Sequence, residues 1–218
     1  PIWRMVAESL VIVSSIVLAL AADAWWEARR ERELEAQFLA SLTQELSANR
    51  DRLLSTDSAH SEQLRASRVF LDGTPADLAN LAPDSATALL RKIYGVITIS
   101  LREEVVMRDE VSLVRDPGLR NAIGEWTGLA SDVNEDLPYL VASARRAGSR
   151  SYDISPEIAR FGTFDGSSAL ALQALRQDRI YSGALFELHG SLEIDQWKIR
   201  ALLAQTNVLL RRLGVLSD

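Results

Sequence analysis

The chain has 218 residues with a formal net charge of −6, and it is 47% hydrophobic and 25% charged. This length allows one membrane segment and one domain of about 150–190 residues. The acidic balance argues against a nucleic-acid partner, and the absence of cysteine excludes disulfides, thiolate metal sites and cysteine nucleophiles.

The first predicted element is an apolar helix. Residues 9–22 carry no charge, and tryptophans bracket them at Trp3 and at Trp25 and Trp26. About 22 helical residues span roughly 32 Å, close to the hydrocarbon thickness of a bilayer. Indole rings collect at membrane interfaces because they are apolar with one polar N–H. We therefore predict a transmembrane helix over residues 1–27, anchored in lipid by the three tryptophans.

Other interpretations of this segment stay open. Ala19-Leu20-Ala21 resembles the cleavage site of a signal peptide, and an apolar helix can also lie in the core of a water-soluble protein. An interfacial amphipathic helix is excluded because residues 9–22 have no charged face. Glu8 and Asp23 lie inside the tryptophan boundaries, near enough to the ends to reach headgroup water, and are candidate partner contacts.

The helix is predicted to continue into water, because no glycine or proline occurs between Pro1 and Gly73. Residues 28–71 then form a charged neck and the first bundle helix. After the neck, a heptad-like stripe predicts packing inside a bundle. A break near residues 55–58 is the alternative to a helix that runs to Phe70. The stripe consists of Leu39, Leu42, Leu46 and Leu53, with Asn49 at the remaining position.

Residues 72–218 supply the remainder of the bundle. A proline-containing loop is predicted over 72–84, followed by a helix capped by Asp84 or Ser85. The Asp116-Pro117 pair predicts the start of another helix, with a kink at Pro138 and an end near Gly148. Its apolar positions include Trp126, and Arg145-Arg146 is predicted to lie at its end.

A long polar loop is predicted over 148–167, in which Phe161 and Phe164 are candidate contacts to a partner. A short helix over Ala169–Leu175 follows, and Asp178 is predicted to cap a final helix that Gly214 ends. The predicted fold is all-α: a transmembrane helix that continues into an antiparallel bundle of about four helices.

Three stretches carry a family resemblance: LVIVSSIVLALAADAWWEARRERELEAQFLASL, VSLVRDPGLRNAIGEW and NVLLRRLGV. Together they resemble an uncharacterised family of bacterial membrane proteins, in which an apolar helix leads into tryptophan, a charged neck and a Leu-rich helix. The resemblance extends over nearly the whole chain, and it implies this architecture and a bacterial source. It transfers no catalytic residue.

Catalytic and metal-binding motifs are missing from the sequence. His60 and His189 have no second histidine within metal-ligand spacing, and no phosphate loop, nucleophile elbow or H-E-x-x-H occurs. The carboxylates at 103, 104, 109 and 110 are interpreted as a solvated face, and Trp126 and Trp197 as core residues. We predict no cofactor, no metal and no evident small-molecule substrate.

The leading functional hypothesis is a non-enzymatic, membrane-anchored interaction subunit whose partners are lipid and other membrane subunits. One version is an accessory subunit of a photosynthetic or other energy-transducing complex. The alternatives are a membrane-tethered sensor with a pocket inside the bundle, and an enzyme using carboxylates such as Glu103, Glu104 and Asp109.

The predicted location is the bacterial inner membrane. Three arginines, Arg29, Arg30 and Arg32, follow the segment, and only Arg4 precedes it. The positive-inside rule therefore favours a cytoplasmic domain, with the periplasm as the alternative.

Overall fold

The described part of the chain is helical throughout. The computed structural model describes residues 2–95, 99, 101, 109–154 and 168–217, and it leaves the side chains of residues 2–9, 11, 12, 83, 94, 109, 110 and 168 undescribed. No β-strand occurs in these ranges, which confirms the all-α class. The prediction of about four helices is too low, because six α-helices are present: α1 (Ile2–Asp72), α2 (Pro75–Ala79), α3 (Pro83–Tyr94), α4 (Pro117–Ile154), α5 (Ser168–Gln177) and α6 (Arg179–Arg212), with a 3₁₀ helix at Asp109–Leu113.

Helix α1 is one unbroken helix of 71 residues, about 106 Å long at 1.5 Å per residue. It ends at Asp72, and the N–H of the following Gly73 donates to the Val69 carbonyl oxygen at 3.1 Å. A Cβ atom at Gly73 would lie 2.9 Å from that oxygen, so glycine is required for this close approach. The predicted continuity is confirmed, and the alternative of a break near residues 55–58 is wrong.

Three long helices form the bundle, and α6 runs antiparallel to both α1 and α4. High-numbered residues of α6 pair with low-numbered residues of the other two helices, as antiparallel packing requires. The hydrogen bonds that establish this order are Arg50–Asn207 and Ser67–His189 between α1 and α6, and Trp126–Thr206 and Arg150–Asp178 between α4 and α6. The short helices α2, α3 and α5 pack at the end of the bundle farthest from the neck.

Two hydrophobic clusters are stacked along these helices. The proximal cluster lies near the neck, and Trp126, fully buried at 0% exposure, is its largest side chain. The distal cluster lies at the opposite end and includes Phe70. The rings of Phe70 and Tyr181 pack edge-on, with their centroids 5.5 Å apart. Full burial of one such side chain contributes about 1.5–3 kcal/mol. The proximal cluster also contains the predicted stripe residues Leu42, Leu46 and Leu53.

Several helix ends agree with the sequence. Helix α4 begins at Pro117, and Asp116 Oδ1 accepts the Gly118 N–H at 2.8 Å. Helix α6 is capped by Asp178, whose Oδ1 accepts the Tyr181 N–H at 2.7 Å. The predicted start of a helix at Asp116-Pro117 and the predicted capping of the final helix by Asp178 are therefore confirmed.

Two predictions in the region 72–94 are wrong. The predicted loop over 72–84 contains α2, because Thr74 and Asp77 form a reciprocal capping box that starts a helix. Helix α3 begins at Pro83 after Ala82, so neither Asp84 nor Ser85 is its cap. Proline at the first helical position replaces side-chain capping, because its φ is already helical and its missing N–H needs no partner.

Helix α4 is longer than predicted, since it continues past Gly148 to Ile154. Packing against α6 outweighs the tendency of Gly148 to end the helix. On either side of Gly148, Arg146 pairs with Glu187 of α6, and Arg150 pairs with Asp178 at 2.6 Å. The long loop therefore does not begin at 148, and Arg145-Arg146 lies inside the helix. Residues 155–167 lie outside the described residues.

Candidate functional site

The described part of the N-terminal segment is an apolar helix that no other part of the described chain covers. Six aliphatic side chains there are 55–69% exposed, and at 100° per residue they occupy most of the helix circumference. A core helix would bury them, so that interpretation is wrong for these residues. The six are Leu10, Val13, Ile16, Val17, Leu18 and Leu20.

Among the side chains that the structure describes, no helical stretch reaches the combined length and apolar character of a membrane crossing.

Two exposed tryptophans, Trp25 and Trp26, end this segment and are 57% and 65% exposed. The Arg29 guanidinium carbon lies 5.8 Å from the centre of the Trp25 ring, within cation–π range. Arg29 Nε also donates to Glu33 Oε1 at 3.0 Å. This pair of opposite charges four residues apart adds a few tenths of a kcal/mol to the stability of the helix.

The bundle begins directly at the neck. The backbone N–H of Arg115, just before α4, donates to Glu35 Oε1 at 2.8 Å. The Arg115 guanidinium also lies 3.4 Å from Glu31 Oε2. These contacts fasten the start of α4 to the same helix that carries the apolar segment, with no flexible linker between segment and domain.

A buried polar layer separates the two hydrophobic clusters. We call it the polar waist, and its centre is a pair formed by His60 of α1 and Asp195 of α6. His60 Nδ1 lies 3.3 Å from Asp195 Oδ2, and the two side chains are 1% and 6% exposed. The waist residues are Thr56, His60 and Gln63 on α1 and Asp195 and Gln196 on α6.

The waist is built from hydrogen bonds between helices. Gln63 Nε2 donates to the Ile93 carbonyl oxygen at 3.0 Å, and Gln196 Nε2 donates to Ser61 Oγ at 2.6 Å. A buried layer of this kind favours one register of the helices, because any shift would leave polar groups unpaired.

The carboxyl group of Asp195 is the electrically unusual group of the waist. Burial raises its pKa above the ordinary aspartate value, and the nearby Asp136 carboxylate raises it further, while His60 and Lys198 oppose the rise. Lys198 itself forms an ion pair with Asp136 on the α4 side. Perturbed pKa values of buried acids occur at functional sites and in structural ion-pair networks alike.

A serine, a histidine and a glutamate lie in line beside the waist. His189 Nδ1 is 2.7 Å from Ser67 Oγ, and His189 Nε2 is 3.4 Å from Glu193 Oε1. Ser67 Oγ also lies 3.0 Å from the Leu64 carbonyl oxygen, and the imidazole tautomer decides whether Ser67 or His189 donates in the contact between them. Ser67 is 1% exposed, so its hydroxyl is shielded from solvent, and the contacts join α1 to α6.

The remaining predicted site residues divide into two groups. Asp23 is exposed, whereas the side chains of Trp3 and Glu8, and Phe161 and Phe164 altogether, lie outside the described residues. The side chains at 103, 104, 109 and 110 also lie outside them.

One of the two predicted core tryptophans is misplaced. Trp126 is buried as predicted, but Trp197 is 69% exposed, so its prediction as a core residue is wrong. It lies on the side of α6 opposite the buried leucines.

The polar waist could have been found from sequence. The spacing of three and four residues that gives the predicted stripe continues beyond Leu53 through Thr56, His60, Gln63 and Ser67 to Phe70. Polar residues at positions that face a core predict a buried polar layer. The pairing with Asp195 has no such signal, because the two residues are far apart in the chain.

Within the described ranges, no group of three or more histidine or carboxylate side chains could hold a metal ion. No protein-family model matches the chain, and no curated protein or solved structure matches it significantly.

Proposed function

We propose that this protein is a non-enzymatic, membrane-anchored interaction subunit, an accessory or stabilising component of a larger bacterial membrane complex. The carrying observation is α1, in which an uncovered apolar segment and the central helix of the bundle are parts of one rigid element. Such a helix holds the bundle at a fixed height and orientation above a lipid surface.

Membrane insertion of the segment is supported by side-chain chemistry. Eight aliphatic residues between Leu10 and Leu20 favour insertion by roughly −2.5 to −5 kcal/mol in total. In water, the six of these side chains that the structure describes would remain exposed to solvent. The span extends toward Trp3 over residues whose side chains lie outside the described part of the chain, and there the proposal rests on sequence.

The proposed location is the inner membrane, with the bundle on the cytoplasmic side. Arg29, Arg30 and Arg32 lie immediately after the segment and are exposed, which agrees with the positive-inside rule. The resemblance to an uncharacterised bacterial membrane-protein family supports the architecture and a bacterial source.

The interaction role is supported by the exposed side chains of the bundle. Large apolar residues on α4 and α6, among them Tyr139, Phe186 and Trp197, are 69–72% exposed, and such surfaces mark contacts with other proteins. A version in a photosynthetic or other energy-transducing complex would brace neighbouring subunits and carry no pigment.

Isolation of the complex tests this proposal. The tagged full-length chain would be extracted from its native membrane in a mild detergent and separated on a native gel. Migration in a complex with other membrane subunits is expected. Recovery of this chain alone, in a single homogeneous species, would contradict the accessory role.

A second candidate, a membrane-tethered sensor, is favoured by the polar waist. His60, one member of the His60–Asp195 pair, lies on α1, the helix that also carries the proposed anchor. A ligand or proton that altered the pair would therefore act directly on α1. The discriminating measurement is the distance between spin labels on the anchor and on the far end of the bundle at several pH values. A sensor changes this distance, whereas a purely structural subunit does not.

A further inference from the structure

Helix α6 carries a second periodic stripe, opposite its buried side. We call it the seam: eight residues at spacings of three or four, as in helices that pack against another helix. The buried side of α6, which includes Leu185, Leu192 and Ile199, lies half a turn away. The seam consists of Gly183, Phe186, Gly190, Ile194, Trp197, Ala201, Ala204 and Val208.

The seam carries no charge, and five of its eight residues are exposed, while Gly190, Ala201 and Val208 are partly exposed. Phe186, Ile194 and Trp197 are 69%, 55% and 69% exposed. On the surface of a chain in which 25% of residues are charged, eight consecutive stripe positions without a charge indicate a surface that packs against protein.

Two glycines in the seam have no role inside the described chain. Gly183 and Gly190 lie within α6, where each costs up to about 1 kcal/mol relative to alanine. Neither has a positive φ, and a Cβ atom at either would meet nothing within 4 Å. Beside the large side chains of the seam, they leave recesses of the kind into which side chains of a second helix can pack.

From this pattern we propose that the seam pairs with the seam of a second copy of this chain, in a parallel dimer whose two-fold axis runs along α6. Two copies anchored in one membrane stand in the same orientation, so the parallel arrangement rests on the proposed membrane anchor. An uncharged seam lets identical surfaces meet without bringing like charges together.

The charges on either side of the seam favour the same arrangement. The α1 flank has three arginines (Arg65, Arg68 and Arg200) against two carboxylates (Asp57 and Glu193), which gives a charge of +1. Two of these arginines already pair within the chain, Arg68 with Glu193 at 3.3 Å and Arg200 with Asp57 at 2.7 Å.

The α4 flank has the opposite sign. Its charged side chains are Asp132, Asp136 and Lys198, with a net charge of −1. Both flanks lie beside the stretch of α6 from Glu193 to Arg200. A two-fold axis along α6 sets the α1 flank of each copy against the α4 flank of the other at this height, so the charges complement each other twice.

The seam extends along most of α6. Its 25 helical steps from Gly183 to Val208 cover about 38 Å, which allows two copies to pair over about seven helical turns.

Single-cysteine cross-linking tests the pairing, because the chain has no cysteine of its own. Ala201→Cys and Ala204→Cys lie on the seam, while Ser58→Cys, exposed on α1, is the matched control. Cα atoms must come within about 7 Å for a disulfide. In native membranes treated with an oxidant, the two seam variants are expected to give on the order of tenfold more covalent dimer than the control.

Three outcomes would overturn the pairing: no seam cross-link, equal cross-linking at Ser58→Cys, or a cross-linked product whose mass is not twice that of the chain. A second variant, Trp197→Glu, is expected to abolish the dimer seen by light scattering in detergent while leaving the helical circular dichroism unchanged. A dimer that persists in this variant would also contradict the pairing. Sedimentation of the same membranes reports the anchor separately, so failure of the anchor and failure of the pairing are distinguishable.

Discussion

At the residue scale, the pKa values of two aspartates in the α6 region are shifted in opposite directions. Hydrogen bonding from the Arg150 side chain, with further help from the Tyr181 N–H, lowers the pKa of Asp178. Burial raises the pKa of Asp195. Asp178 therefore stabilises the fold in its charged form. Asp195 destabilises the fold less when it is protonated than when it is charged.

Replacing Asp178 by alanine is expected to lower the melting temperature at pH 7, because it removes the helix cap and the Arg150 pair together. The effect requires the charged carboxylate. It is present above the unfolded pKa of about 3.9 and is lost as the pH falls through the lowered folded pKa. Asp178→Asn, which can still cap, is expected to lose less. Equal melting temperatures for Asp178→Ala and the parent chain across this range would contradict the assignment.

Replacing Asp195 by asparagine is expected to have the opposite pH dependence. The folded state binds the Asp195 proton more tightly than the unfolded state does, so its contribution declines as the pH rises from about 3.9 through the raised folded pKa. The free energy of unfolding of Asp195→Asn, relative to the parent, should therefore rise over this window. Asp51→Asn, at a carboxylate whose side chain is 80% exposed, serves as the control. A difference that does not vary with pH would contradict the raised pKa of Asp195.

Replacing Trp126 by alanine is expected to destabilise the bundle by about 3–5 kcal/mol, since it removes a fully buried ring from the proximal cluster. It also leaves Thr206 Oγ1 without the Trp126 Nε1–H, now 2.8 Å away. Tyr139→Ala, at a side chain 72% exposed, should change stability by less than about 0.5 kcal/mol. Thermal unfolding in detergent measures both, and similar losses would show that the core is placed wrongly.

At the element scale, the long helices were predictable and their ends were less so. The absence of glycine and proline before Gly73 predicts α1, and Asp116-Pro117 and Asp178 predict the starts of α4 and α6. The extension of α4 past Gly148 was not predictable, because ion pairs with distant α6 residues hold it. The polar waist was half predictable, since the stripe on α1 continues through it while its partner on α6 lies 135 residues away from His60.

The rigidity of α1 across the neck is testable with spin labels on single cysteines. Cysteines at Ala22 and Ala40 are separated by about 27 Å on a straight helix, and a narrow distance distribution at that value is expected in the intact chain. Arg32→Pro breaks the helix between them and should broaden the distribution, whereas Arg32→Ala should not. A broad distribution in the parent chain would contradict a rigid join between segment and bundle.

At the scale of the whole molecule, composition and periodicity predicted an all-α chain with an apolar helix at one end. They did not reveal the seam, because α6 has apolar residues on two opposite sides. In the sequence alone, the leucines of the buried side cannot be told apart from the apolar residues of the seam. Only the packing of α6 between α1 and α4 distinguishes the side that faces the core from the side that remains uncovered.

The central claim, that the uncovered segment of α1 is embedded in lipid, is tested most directly by alkaline carbonate extraction of membranes from cells that express the full chain. The parent chain is expected to stay in the membrane pellet. A Val13→Arg, Val17→Arg double variant should move to the supernatant, because each arginine costs about 2.5–3.5 kcal/mol at the centre of a span. Val13→Leu, Val17→Leu is the control and should pellet. Release of the parent chain as a dispersed protein in buffer without any amphiphile would contradict the account.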